Sequence, residues 1–352
     1  MKMGTETGMS VRTGEQTEAG AYAETDMTAR ETAEERTETP KTKGGGTFVK
    51  TEPKERGGLR RKAGLCLLVA ALCAVLALCY LAGIRHEQAR QRTTEPEIPI
   101  SGETLSEAFP RLAATRSDED TESADAEAID LSAAEGEYLI TEGGKYRLAG
   151  SLNGRIRIAA EEQTVHLFLD NVTVTSPEGP ALLAESAGKV ILTLMEGTDN
   201  QFTDSGRYQA YPDTEGCVFS KADLTVNGEG RLKVTGLHKD GIRTSGVMKM
   251  LGGQVEILCK RTGIHGSDGI HIFGGNISVS SERNGFRTTK SGEGGRGNLV
   301  ISGGDHQIIA GRYAFLVSRA DVYVYDCTIL DKSVVSLCKA GGTVRIQSRC
   351  IR

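Results

Sequence analysis

The sequence predicts an all-β fold, a parallel β-helix solenoid, preceded by one transmembrane helix and a disordered N-terminal tail. Three observations predict it. The second half carries a repeat of about 22 residues, apolar pairs of period 2 keep one register through that repeat, and a single run of 22 uncharged residues lies near the start. The 352 residues include 44 glycines, 8 prolines and no tryptophan. That composition suits many tight turns between short strands and, without a strict triplet, excludes collagen.

Residues 1–62 read as a disordered cytoplasmic tail. Thr, Glu, Ala and Gly recur through residues 1–47 with almost no apolar clusters, so this stretch buries too little surface to offset chain entropy. Its charge is divided: residues 1–40 carry 4 basic and 9 acidic side chains, residues 41–62 carry 8 and 2. From Ala63 to Ile84 there is no charge, and 22 helical residues at about 1.5 Å each span a hydrocarbon core of roughly 30 Å. Lys50, Lys54, Arg56, Arg60, Arg61 and Lys62 precede this run, and Arg85, Arg90 and Arg92 follow it. The excess of basic residues before the run orients the N-terminus to the cytoplasm and the remainder outside the cell. A cleaved signal peptide is the competing reading, but sixty-two preceding residues are too many for an ordinary n-region, so an uncleaved signal anchor is preferred. Residues 85–129, with 5 basic and 11 acidic side chains, read as an acidic linker. Residues 130–352, the solenoid domain, balance at 25 against 25, which argues against nucleic acid as a partner.

The repeat is clearest in KDGI (239–242), RTGI (261–264) and RNGF (283–286), with weaker copies in RYAF (312–315) and KSVV (332–335). Ile242, Ile264, Phe286, Phe315 and Val335 are expected to stack as one inward ladder. Leu224, Met248, Ile270, Leu299 and Val322 are expected to form another, and Leu232, Val255, Ile277 and His306 lead a third. The step from Phe286 to Phe315 is 29 residues, so an insertion of about seven is placed within Thr288–Arg296. Nine or ten coils are expected, and another strand should begin around Ile351.

The stretches LFLDNVTVTSPEGPALL (167–183), VILTLMEGTDNQFTD (190–204) and CVFSKADLTVNGEGRLKVTGLHKDGI (217–242) resemble a bacterial family of carbohydrate-binding domain-containing proteins. The resemblance covers roughly residues 130–345. It implies a right-handed parallel β-helix at the cell surface, related in shape to polysaccharide lyases, that binds polysaccharide, including acidic sugars, with calcium in some members. Such members tend to repeat Asp-Gly-Ile. Here only Asp240 keeps the acid, with Thr262, Asn284, Tyr313 and Ser333 at the matching positions, so at most Asp240 is left for a metal.

The strongest local feature is a basic column. Lys239, Arg261, Arg283, Arg312 and Lys332 stand three residues before the inward side chain of their coil, and Arg243, His265 and Arg287 one residue after it. Outward rows on either side of Gly241, Gly263 and Gly285 would make a groove with a glycine floor, suited to sugar carboxylates held by arginine forks. The bland alternative is a solvated surface neutralised by Glu282 and Asp331. Tyr323 and Tyr325 alternate with Val322 and Val324, so their rings should face outward, either to stack on sugars or to protect the strand. Cys259 shares the inward parity of Val255 and Ile257 and reads as a buried thiol.

Residues 130–352 contain no Asp-Asp pair and no acid column beyond Asp240, and an arginine in the column is a poor base, so catalysis is the weaker reading. The sequence therefore points to a membrane-anchored, extracellular polysaccharide-binding protein that recognises acidic glycans on a basic face. A lyase-type enzyme on the same scaffold and a structural or adhesive stalk are the alternatives.

Overall fold

A computed structural model describes residues 107–352. The tail, the uncharged run 63–84 and the first half of the acidic linker lie outside the described residues. Among the described residues no helix is long and apolar enough to cross a membrane.

The chain enters through a short helix, α1 (Arg116–Glu119), and then forms strands almost without interruption. β1 (Glu127–Asp130) and β2 (Gly136–Ile140) start the winding. β3 (Gly144–Ser176), β4 (Leu182–Leu194) and β5 (Asp199–Asp204) continue it with strands long enough to turn corners. From there each coil has three strands: β6 (Gly216–Ser220), β7 (Asp223–Gly228) and β8 (Arg231–Gly236), then β9 (Asp240–Thr244), β10 (Val247–Met250) and β11 (Gln254–Cys259). The next are β12 (Thr262–Gly266), β13 (Gly269–Ile272) and β14 (Asn276–Ser281), then β15 (Asn284–Thr288), β16 (Leu299–Ile301) and β17 (Asp305–Ala310). The last are β18 (Tyr313–Val317), β19 (Val322–Val324) and β20 (Thr328–Asp331), followed by β21 (Ser336–Ala340) and β22 (Val344–Ile346).

Every strand from β6 to β19 pairs in parallel with the strand three further along, which makes three faces. Face 1 holds β9, β12, β15, β18 and β21; face 2 holds β10, β13, β16, β19 and β22; face 3 holds β11, β14, β17 and β20. Position by position, face 1 is occupied nine times, by β2, β3, β4, β6, β9, β12, β15, β18 and β21. This is the expected parallel β-helix, and its register is the one the apolar columns specify. Ile242 sits on Ile264, Ile264 on Phe286 and Phe286 on Phe315. Stacking like on like lets one continuous core run through the coils, and the Phe286 and Phe315 rings stack at 5.9 Å. The final strand start also appears, since Ile351 bridges Ile329 in parallel. The seven-residue insertion lies between Thr288 and Leu299, where Lys290 and Arg296 reach back to Asp268 at 2.6 and 3.3 Å. Cys259 is buried as expected, and Cys217, Cys259, Cys327, Cys338 and Cys350 are all free thiols.

Two readings of register require correction. In the last coil Phe315 pairs with Cys338, a step of 23 residues, so Cys338 continues the inward ladder. Val335 is 58% exposed. The KSVV segment imitates the repeat in sequence, but the ladder between β18 and β21 fixes the true alignment. The glycine column also points the other way. A Cβ on Gly241, Gly263 or Gly285 would come within 2.3, 2.5 and 2.5 Å of Ile257, Val279 and Ile308, which are core side chains of face 3. These glycines let face 1 approach face 3 inside the coil, and they do not floor an outer groove.

The described second half of the acidic linker is docked. It crosses the outer surface of face 2 as a strap. Phe109 packs on Tyr323 at 5.4 Å, Leu112 is buried with Val247, Val300, Tyr323 and Tyr325, and Asp118 is fully buried. The Asp118 carboxylate accepts from Thr225 at 2.6 Å and from Lys189 and Lys249 at 2.9 Å each. Burial alone would raise its pKa, but these bonds, with one from Thr115, outweigh it and hold the carboxyl far below its usual range. His271 binds the Leu112 carbonyl oxygen through Nδ1 at 2.9 Å, and burial lowers its pKa to about 4.

Candidate functional site: the outer surface of face 1

The basic residues do collect on one surface, in three rows set by the parallel register. One row contains Lys239, Arg261, Arg283 and Arg312, whose backbones hydrogen-bond coil to coil, Arg261 N to Lys239 O at 2.7 Å and Arg312 N to Arg283 O at 2.7 Å. The second contains Asp240, Thr262, Asn284 and Tyr313; Thr262 pairs with Asn284 and Asn284 with Tyr313. The third contains Arg243, His265, Arg287, Leu316 and Lys339. Lys332 does not belong. It follows β20, where its amide bonds the Ile308 carbonyl oxygen at 2.8 Å, and Val335 takes the position next to Arg312. Its misplacement follows from the same KSVV imitation.

The upper part of this surface is internally neutralised. Glu215, ahead of β6, accepts from Lys239 at 3.1 Å, from Arg261 at 2.9 Å and from Arg243. Its carboxyl is lowered to about 2, first by the Arg261 bond and against the effect of burial. Asp240 is fully buried and takes Arg261 Nε at 2.7 Å, the Thr262 amide at 3.1 Å and His265 Nδ1 at 3.1 Å. Burial alone would raise the Asp240 pKa, but Arg261 and His265 outweigh it, with a net downward shift. Burial also lowers the His265 pKa, so the ring is neutral and Nδ1–H donates to Asp240. The acids that neutralise the column are therefore Glu215 and Asp240. Glu282 pairs instead with Lys260 at 2.7 Å, and Asp331 bonds the Ser333 amide at 2.9 Å.

The lower part is different. Arg283, Arg287 and Arg312 have no carboxylate in salt-bridge reach among the described residues. Arg287 is half-buried, and desolvation lowers its pKa despite Asp240 nearby. Five of the ten buried side-chain atoms without a hydrogen-bond partner among the described residues lie on face 1 as a whole, spanning both parts: Arg243 Nε, Thr262 Oγ1, His265 Nε2, Asn284 Oδ1 and Arg287 Nε. Buried polar atoms are rarely left unpaired, so such a concentration marks a place where water or ligand completes the bonding. Tyr313 adjoins these atoms, with Arg312 Cζ at 5.6 Å and Lys339 Nζ at 5.8 Å from its ring centre.

Calcium does not fit the Asp240 position. Both carboxylate oxygens already serve Arg261, Thr262 and His265, and arginines surround the group where a cation would need further oxygens. Tyr323 and Tyr325 point outward from the coil, as their alternation requires, but are only 7% and 4% exposed because the strap covers them. They are not open to a sugar. The sequence reading missed Glu215, Asn284, Tyr313 and Lys339. Counting the last coil from Cys338 would have exposed Lys339, one residue after the inward side chain like Arg243 and Arg287.

Comparison with known proteins fits this architecture. A curated carbohydrate-binding domain-containing protein of Acetivibrio thermocellus is 33% identical over 146 residues, which are 39% of this chain and 51% of the relative. The chain thus matches about half the length of that relative. The solved structure of a polysaccharide lyase-like protein from C. thermocellum, a gadolinium derivative, superposes with a TM-score of 0.61 at 27% identity. That match covers 64% of this chain and 97% of the other. The family model described as carbohydrate-binding domain-containing protein matches residues 134–346, nearly the whole solenoid, and the chain belongs to that family.

Proposed function

We propose that this protein binds polysaccharide through the outer surface of face 1, and that it selects acidic glycans. Family membership supports carbohydrate as the ligand class. The observation that carries the acidic preference is the set of Arg283, Arg287 and Arg312 without carboxylate partners, beside Asn284 and Thr262 atoms that lack hydrogen bonds. Arg287 has lost water without gaining an anion, which a bound carboxylate would offset, while exposed Arg283 and Arg312 offer unpaired guanidinium forks beside it. On this surface Lys239, Arg243 and Arg261 are committed to Glu215 and Asp240, and the arginines left over are poor bases, so the reading is retention of glycan without turnover. The uncharged run 63–84 supports anchoring of the domain at the outer side of the cell membrane as part of the same proposal.

The test is affinity electrophoresis and calorimetry with polygalacturonate and a neutral glucan, alongside an assay for unsaturated products. Wild type should be retarded by polygalacturonate, with retardation falling as salt rises, and should yield no product. Arg283→Glu with Arg312→Glu, two exposed positions, should abolish retention while the thermal transition stays in place. Retention equal to wild type in the double variant overturns the proposal, and unsaturated product would replace binding with a lyase.

A further inference from the structure

The basic surface has one aromatic ring placed to read the sugar itself. The sequence directs attention to Tyr323 and Tyr325, but the strap buries both. Tyr313 stands on the other face, half-exposed, in the row that continues Asp240, Thr262 and Asn284, and pairs with Asn284 on one side and Ser336 on the other. No other aromatic ring stacks on it among the described residues. Arg312 Cζ and Lys339 Nζ lie 5.6 and 5.8 Å from the ring centre, the outer limit of a cation–π contact. Both cations are exposed and free to turn toward a ligand. Leu316, between Arg287 and Lys339 in the neighbouring row, adds a partly buried apolar side chain. Asn284, only 4% exposed, keeps an unpaired carbonyl oxygen one coil away.

We propose that Tyr313 is the stacking platform of a sugar subsite that takes one hexuronate residue of a chain lying along the solenoid axis. The apolar face of the pyranose covers the ring, Arg287 and Arg312 bind the carboxylate, Lys339 meets the next residue and Asn284 accepts a hydroxyl proton. Coils stack about 4.8 Å apart, so side chains on adjacent coils meet adjacent parts of a chain that runs along this axis. The ring serves because a phenol offers an apolar body for C–H groups, a contact indifferent to the sugar's charge. The charge is read by the cations, Arg287 and Arg312 at this residue and Lys339 at the next. This subsite rests on the polysaccharide-binding reading above and divides it into two separable contributions.

The division sets the test. Trigalacturonate and its carboxyl-reduced, neutral counterpart are titrated into wild type, Tyr313→Ala, Tyr313→Leu, Tyr313→Phe and the Arg283→Glu/Arg312→Glu variant, each checked for an unchanged thermal transition. Tyr313→Ala and Tyr313→Leu should weaken both ligands tenfold or more, Tyr313→Phe should keep wild-type affinity, and the arginine variant should lose the acidic ligand selectively. Wild type that binds while Tyr313→Leu binds equally well overturns the subsite and leaves the face 1 reading intact. Wild type that binds neither ligand overturns both.

Discussion

Faces 1 and 2 are built from the same repeat, carry cations at equivalent outward positions and treat them in opposite ways. On face 2, Lys249 is nearly sealed from solvent and meets the buried Asp118 carboxylate at 2.9 Å. On face 1, Arg287 is half-buried with no carboxylate within salt-bridge distance among the described residues, and its Nε has no partner among them. The difference comes from a covering segment 131 residues away in sequence from the lysine it neutralises. A charge on a solenoid surface therefore takes its meaning from what lies over it. On face 2 the chain supplies the anion itself through Asp118, and on face 1 it does so only where Glu215 and Asp240 reach.

The largest effect should come from breaking the covered side. Asp118→Ala leaves Lys189 and Lys249 facing each other without their shared carboxylate, and loss of one partner from a buried charge cluster costs about 3–5 kcal/mol. Urea unfolding should show that loss, while the folded variant keeps its affinity for polygalacturonate. A variant as stable as wild type would mean that the strap is not what neutralises face 2.

Acid should sharpen the same contrast with a smaller effect. His166 and His271, both on face 2, have pKa values lowered by burial to about 4. The unfolded chain takes up these protons near pH 6.5 and the folded one only near 4, so stability falls as pH drops across that window. For His271 the difference is on the order of 3 kcal/mol by pH 4. Asp118 and Glu215, with pKa values lowered in the fold, stabilise it above the ordinary carboxylate range and lose that contribution at still lower pH. Chemical denaturation at pH 7 and pH 4.5 checks this, and His271→Gln should show the shallower decline. An equal decline in that variant would remove His271 from the account.

The smallest effect on stability belongs to the open side. Arg283→Gln and Arg312→Gln remove charges without intramolecular partners and should shift unfolding by no more than about 0.5 kcal/mol, or stabilise slightly by relieving repulsion. A loss well beyond that would show that face 1 cations are as structural as those of face 2.

The core was legible because it depends on period alone: the columns through Ile242, Ile264 and Phe286 repeat at 22 residues, and a one-residue slip would turn every side chain over. The last coil was misread because Lys332–Val335 copies the motif three residues too early, and only the pairing of Phe315 with Cys338 reveals it. The glycines were misassigned because sequence does not show that the chain bends at Gly241, Gly263 and Gly285, where Ile257, Val279 and Ile308 leave no room for a side chain. The strap left no periodic signal. Its grip rests on Phe109, Leu112 and Asp118, three residues scattered through an acidic stretch. Of the eight basic residues found by counting, seven, all but Lys332, lie on the basic surface. Its neutralisation by Glu215 and the exposure of Tyr313 depend on which coils come to lie side by side.

A solenoid ordinarily unfolds by fraying, because each coil touches only the next and the ends can open while the middle holds. The strap changes this. It contacts Tyr323 in β19 through Phe109, His271 in β13 through the Leu112 carbonyl, Lys249 in β10 and Thr225 in β7 through Asp118, and then enters β1 at the opposite end. Opening any one of these coils disturbs the strap that grips the others, so amide protons along face 2 should exchange in one concerted event rather than coil by coil from the ends.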